Sequence, residues 1–96
     1  LRYAASMIDI NKVEAYLRKH NPRAVVLPGY EAAIVGVTRT ENGEVLVYDY
    51  EAMLAICVAQ GMSRREAEDY GEEAILPFHD GHGTPVILRH LEGTHD

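Results

Sequence analysis

Two β-rich runs, Ala32 to Thr40 and Glu44 to Tyr48, flank the dipeptide Asn42-Gly43. Asn and Gly enter positive φ at low cost, and a type I′ turn built on them matches the twist of the strands it joins, so this segment predicts a β-hairpin. With a two-residue loop, Thr38 faces Val47, Val37 faces Tyr48, and Glu41 faces Glu44, a like-charge pair tolerable only at a solvated tip. Val45 and Val47 then lie on one face, and Val35, Val37, Leu46 and Tyr48 on the other. A hairpin apolar on both faces needs cover on both, from helices or from a second copy of the chain.

The flanking segments carry helix signals. Asn11 stands three residues before Glu14, with Ile10 and Ala15 spaced as a hydrophobic staple, which predicts a helix with Val13, Tyr16, Leu17 and His20 on its inner stripe. Asn21-Pro22 should end it, through a left-handed Asn and a proline that cannot continue. The short apolar run Ala24 to Leu27, bounded by Pro22 and Pro28-Gly29, reads as a brief strand. After the hairpin, Asp49 is placed to cap an apolar helix from Tyr50 to Gln60, and Gly61 to terminate it. Ser63-Arg64-Arg65-Glu66 is a full capping box with Met62 and Ala67 as staple. The helix it opens should turn Ala67, Tyr70, Ala74 and Ile75 inward and Arg64, Arg65, Glu68, Asp69, Glu72 and Glu73 outward, until Pro77 stops it. Phe78 to Gly83 reads as a loop, and Thr84 to Leu91 as a last strand beside the hairpin, with Pro85 near its start where a proline breaks no ladder. Leu1 to Ser6 read as a leader or cloning remnant and Glu92 to Asp96 as a frayed tail, leaving one domain over residues 7–91. The expected fold is α+β in the order α-β-β-β-α-α-β, with three helices and a mainly antiparallel sheet of three or four strands.

At 96 residues, 47% apolar and 25% charged, the chain has the composition of an ordinary globular domain with room for one modest core. That excludes a Rossmann or TIM-barrel enzyme. The single Cys57 cannot form an intrachain disulfide and lies in the most apolar helix, so a buried, inert thiol in a reducing cytoplasm is expected. No apolar run approaches the ~18 residues of a membrane span, so no membrane partner is expected. The net charge is −6, and it is segregated: from residue 66 onward Arg89 stands alone against Glu66, Glu68, Asp69, Glu72, Glu73, Asp80, Glu92 and Asp96. Such a face repels a phosphate backbone, which argues against nucleic-acid partners. Arg18, Lys19, His20 and Arg23 fall at a helix C-terminus, where cations complement the macrodipole. Glu68, Asp69, Glu72 and Glu73 remain as a candidate docking surface for a protein partner.

Three groups could carry chemistry. His79-Asp80-Gly81-His82 places two imidazoles and a carboxylate on a flexible loop, the alternative being a metal-binding or metal-dependent hydrolytic module; a closed zinc site wants four ligands, so His90 or a second chain would have to contribute. Tyr30, Tyr48, Asp49 and Tyr50 bring phenols and a carboxylate to the ends of elements, a possible small-ligand cluster, although capping by Asp49 and the amphipathic character of tyrosine account for them as well. No Gly-rich phosphate loop and no serine nucleophile elbow occur. Neither a catalytic set nor a cofactor is expected.

Gly29-Tyr30-Glu31 before Ala33-Ile34-Val35-Gly36, Val47-Tyr48-Asp49-Tyr50 with Met53, Gly61-Met62-Ser63 with Glu66-Ala67, and Gly83-Thr84-Pro85-Val86-Ile87 follow one another along the chain. This pattern, over roughly Ile10 to Leu88, resembles a set of small proteins carried by phages, prophages and other mobile elements, mostly of unassigned function. The resemblance implies an accessory role in a mobile element and carries over no catalytic residues. The histidine-rich loop is not part of the pattern. Together these features point to a non-enzymatic protein acting through protein contacts, as a homodimer if the hairpin's second face is covered by another copy.

Overall fold

A computed structural model describes residues 9–91; the proposed leader and tail lie outside them. Helix α1 spans Ile10–His20, strands β1 and β2 span Ile34–Thr40 and Gly43–Asp49, α2 spans Tyr50–Ala59, α3 spans Arg64–Tyr70, and β3 spans Val86–Leu88. Short 3-10 turns at Glu31–Ala33 and Gly81–Gly83 precede β1 and β3, and a π-helical turn, Gly71–Ile75, extends α3. The fold is α+β with three helices and a three-stranded sheet of order β1-β2-β3.

The sheet is mixed, not mainly antiparallel. β1 and β2 form the hairpin, but β3 lies parallel to β2, pairing Val47 with Val86 and Tyr48 with Ile87. Parallel pairing needs a long crossover connection in place of a tight turn, and α2 and α3 supply it between β2 and β3. Ala24 to Leu27 is not a strand. Its amides are satisfied elsewhere, Val25 N–H by the Gly83 carbonyl at 2.9 Å and Leu27 N–H by the Tyr48 hydroxyl at 2.8 Å.

The hairpin forms with a shifted register. Thr38 faces Val45, Val37 faces Leu46 and Arg39 faces Glu44, so the loop residues are Glu41 and Asn42. Among the described residues only glycines adopt positive φ, and Gly43, at +107°, takes the left-handed position alone. The shift replaces the Glu41–Glu44 repulsion with an Arg39–Glu44 ion pair of 2.9 Å. Because it moves pairing by two residues in sum, Thr38 still shares a face with Val45 and Val47, and Val37 with Leu46 and Tyr48. An irregularity between Ile34 and Gly36 then brings Ile34 opposite Tyr48.

Helix ends follow their caps. Asp49 accepts from Ala52 N–H at 2.9 Å, Gly61 sits at φ +112°, and both halves of the Ser63–Glu66 box are made. At α1, Asp9 rather than Asn11 is the cap, its carboxylate accepting from the Asn11 and Lys12 amides. Asn21 ends α1 with φ −159°, not left-handed; its buried amide donates to the Glu44 carbonyl at 2.7 Å and ties the helix to β2. On the C-terminal arm the buried stripe is Ala67, Gly71 and Ile75, whereas Tyr70 and Ala74, expected inside, are exposed. The i+4 spacing of that stripe runs through Gly71, which presents no side chain and lets Tyr50 pack against it. The core is Leu17, Ala33, Ile34, Leu46, Tyr48, Met53, Leu54 and Cys57, with Ala67 and Ile75 closing it from the C-terminal arm.

Candidate functional site

The strand-to-helix corner Tyr48-Asp49-Tyr50 sends three adjacent side chains to three different places. Tyr48 is fully buried and its hydroxyl accepts the Leu27 amide; burial pushes its phenol up to about 12. Asp49, also buried, caps α2 with one oxygen and meets His90 Nε2 with the other at 2.8 Å. Tyr50 crosses to the α3 side, its hydroxyl lying against Gly71. Tyr30 goes elsewhere again: Gly29, at φ +90°, and the Glu31–Ala33 turn aim it at Cys57, with 3.4 Å between Oη and Sγ. The tyrosines therefore do not form one cluster.

Two clefts result. Tyr30 lines an apolar one of about 190 Å³ with Leu27, Met53, Tyr70 and Phe78. Burial, and after it the hydrogen bond to Cys57, raises the Tyr30 phenol well above its ordinary range. Tyr50 floors the other, a groove of about 420 Å³ between α2 and α3, together with Leu54. Its walls are Glu51 from the first turn of α2 and Glu68, Asp69 and Glu72 from the C-terminal arm, with Arg64 and Arg89 among them. Arg64 bridges Glu51 and Glu68, at 2.8 Å to each, and those hydrogen bonds hold its guanidinium more firmly charged. Among the described residues Asp69 has only the distant Arg65, at 3.9 Å. Glu72 has no ion-pair partner among the described residues. The Arg89 guanidinium lies 5.8 Å from the centre of the Tyr50 ring, near the outer limit of a cation–π contact. Burial raises the Tyr50 phenol, Glu72 adds to the rise, and Arg89 opposes it.

Three of the four carboxylates expected to form a docking surface, Glu68, Asp69 and Glu72, thus line one groove, and Glu73 is exposed on the turn that follows. Tyr50 and Arg89 were not assigned to this surface by the sequence, because only tertiary packing brings the first turn of α2 and the end of β3 beside α3. His79, Asp80 and His82 are exposed. The loop is closed by Thr84, whose hydroxyl accepts the Asp80 amide at 2.9 Å and donates to the Gly81 carbonyl at 2.7 Å. His90, the sequence-expected further ligand, is engaged with Asp49 instead. Among the described residues no three His, Cys, Asp or Glu side chains are grouped so as to hold a metal ion. No helix among them is long and apolar enough to cross a membrane. The chain matches no protein-family profile, no curated protein and no solved structure in the comparisons made.

Proposed function

We propose that this chain is a non-enzymatic accessory protein of a mobile genetic element, working in the cytoplasm through protein–protein contacts, with Glu68, Asp69, Glu72 and Glu73 as its contact surface. The observation that carries the reading is the α2–α3 groove, where carboxylates of α3 and its extension stand around an aromatic floor and two of them, Asp69 and Glu72, are not neutralised at close range. Charge of one sign on a shaped surface steers a partner of the opposite sign and rejects like-charged ones, and an aromatic residue supplies the apolar contact that charge alone lacks. The sequence resemblance to mobile-element proteins supports the accessory role. Glu68, Asp69, Glu72 and Glu73 changed together to Lys should abolish affinity capture of a reproducible partner from a host lysate, with the circular-dichroism spectrum of the folded chain retained. Unchanged capture by the folded variant contradicts the surface.

A small-ligand reading has one observation in its favour, the apolar cleft in which Tyr30 and Tyr70 supply polar tips among Leu27, Met53 and Phe78. A screen of aromatic fragments by thermal shift tests it: hits that disappear in Tyr30→Phe or Tyr70→Phe support the cleft as their site.

A further inference from the structure

The apolar cleft of about 190 Å³ lies between the Leu27–Tyr30 segment, Met53 of α2, and Tyr70, Ala74 and Ile75 of the C-terminal arm, with Phe78 beside them, and none of the described residues that line it is charged. Met53 and Ile75 are buried, whereas Tyr70 and Phe78 remain exposed, so the cleft opens to solvent on their side. Backbone bonds hold its walls. Leu27 N–H donates to the Tyr48 hydroxyl at 2.8 Å, Tyr30 N–H to the Leu27 carbonyl at 3.2 Å, and Phe78 N–H to the Ile75 carbonyl at 3.2 Å. The arm adds an independent sign. Leu76 N–H reaches back five residues to the Gly71 carbonyl at 2.9 Å, the bond of a π-helical turn, and Ala74 and Ile75 of that turn line the cleft. A turn widened in this way lets Ala74 and Ile75, four and five residues after Tyr70, both follow it along one wall. Such turns are rare and occur frequently at functional sites.

We propose that this cleft binds an uncharged molecule with a single aromatic ring and one oxygen substituent, the oxygen accepting from the Tyr30 and Tyr70 phenols. This rests on the small-ligand reading and names the class of ligand. Size sets the single ring: a cavity of about 150 Å³ lined by aliphatic and aromatic side chains takes one benzene, so this one has room for a ring and a small substituent but not for a second fused ring. The lining sets the aromatic character, because Tyr30, Tyr70 and Phe78 offer ring faces and edges and Met53 a polarisable side chain. It also sets the neutrality, since an ion entering the cleft would shed its water with no counter-charge to replace it. The polar end is defined by the phenols. Tyr30 Oη lies 3.4 Å from Cys57 Sγ, where the thiol can donate to the phenol oxygen and leave the Tyr30 O–H free to donate into the cleft. Burial and Cys57 raise the Tyr30 phenol, and Tyr70 is near enough to add to that rise, which places a second donor beside the first.

The test titrates the isotope-labelled chain with p-cresol, toluene, benzoate and naphthol and follows backbone amide shifts by NMR. p-Cresol should move the signals of the cleft residues and bind about fivefold more tightly than toluene, which lacks the oxygen. It should bind at least about tenfold more tightly than benzoate, which carries a charge, and more tightly than naphthol, which carries a second ring. Tyr30→Phe should cut the preference for p-cresol over toluene to about twofold while toluene still binds. Ala74→Leu enlarges an exposed residue of the wall without touching the core, and should abolish the p-cresol shifts; the dispersion of the same spectra verifies that each variant is folded. If toluene or benzoate binds as tightly as p-cresol, with shifts that Ala74→Leu removes, the ligand class is overturned and the cleft survives as a binding site. Binding that Ala74→Leu leaves unchanged, shifts confined to other parts of the fold, or no binding of any of these compounds overturns the class and the cleft together.

Discussion

Tyr50 is placed by a residue with no side chain. Gly71 has ordinary helical angles, φ −60° and ψ −42°, so backbone freedom is not its reason for being there; a Cβ at this position would run into the Tyr50 hydroxyl and ring. Alanine in a helix is normally worth about 1 kcal/mol more than glycine. Here Gly71→Ala should instead destabilise by about 1–3 kcal/mol through overpacking, measured by urea unfolding, and a more stable variant would contradict the packing described. Tyr48 supports the core in a different way, by closing the hydrogen-bond account of the segment that precedes β1. Tyr48→Phe leaves the Leu27 amide without its acceptor and should cost about 1–3 kcal/mol. The same phenol sets a pH limit. It ionises near 10 in an unfolded chain and about 12 in the fold, so its share of stability is complete below pH 10 and is lost as pH rises toward 12. Unfolding free energies measured across that window should fall more steeply for the wild type than for Tyr48→Phe.

At the scale of elements, the joint between β2, α2 and β3 is held by one carboxylate with two tasks. Asp49 caps α2 and holds His90, which lies just past β3, at 2.8 Å. Asp49→Ala should cost about 1–2 kcal/mol from the cap alone, and a double-mutant cycle with His90→Ala should show a coupling of at least about 0.5 kcal/mol; additive losses would mean that the His90 contact does not hold the end of β3. The elements also show what a sequence can and cannot disclose. Asp49, Gly61 and the Ser63–Glu66 box were legible because capping is decided within four residues. The parallel entry of β3 was not, since strand direction depends on where two helices deliver the chain. Ala24 to Leu27 has the composition of a strand but finds its partners in Gly83 and Tyr48, both remote in sequence. Asp9 and Asn11 are both good caps, and two residues of context do not choose between them. For the site, the outward carboxylates of α3 could be read from helical spacing, whereas the phenol and the guanidinium beside them arrive from other elements.

Across the whole molecule, two surfaces differ in character. On β3, Val86 is 37% exposed and Leu88 48%, while the α2–α3 groove is acidic. The first suits a second copy of the chain, and a dimer is predicted: light scattering at high concentration should return twice the monomer mass, falling to the monomer mass in a Val86→Lys, Leu88→Lys variant, whereas a wild type that stays monomeric contradicts it. The second is the surface on which the functional account depends. Zero-length carbodiimide cross-linking joins a carboxylate to an amine only where the two touch, so it reads the interface directly. With the partner captured by the wild-type chain, mass spectrometry should place the cross-links on Glu68, Asp69, Glu72 or Glu73. Cross-links confined to Glu14, Glu31 or Glu41, none of which lines the groove, would contradict the account.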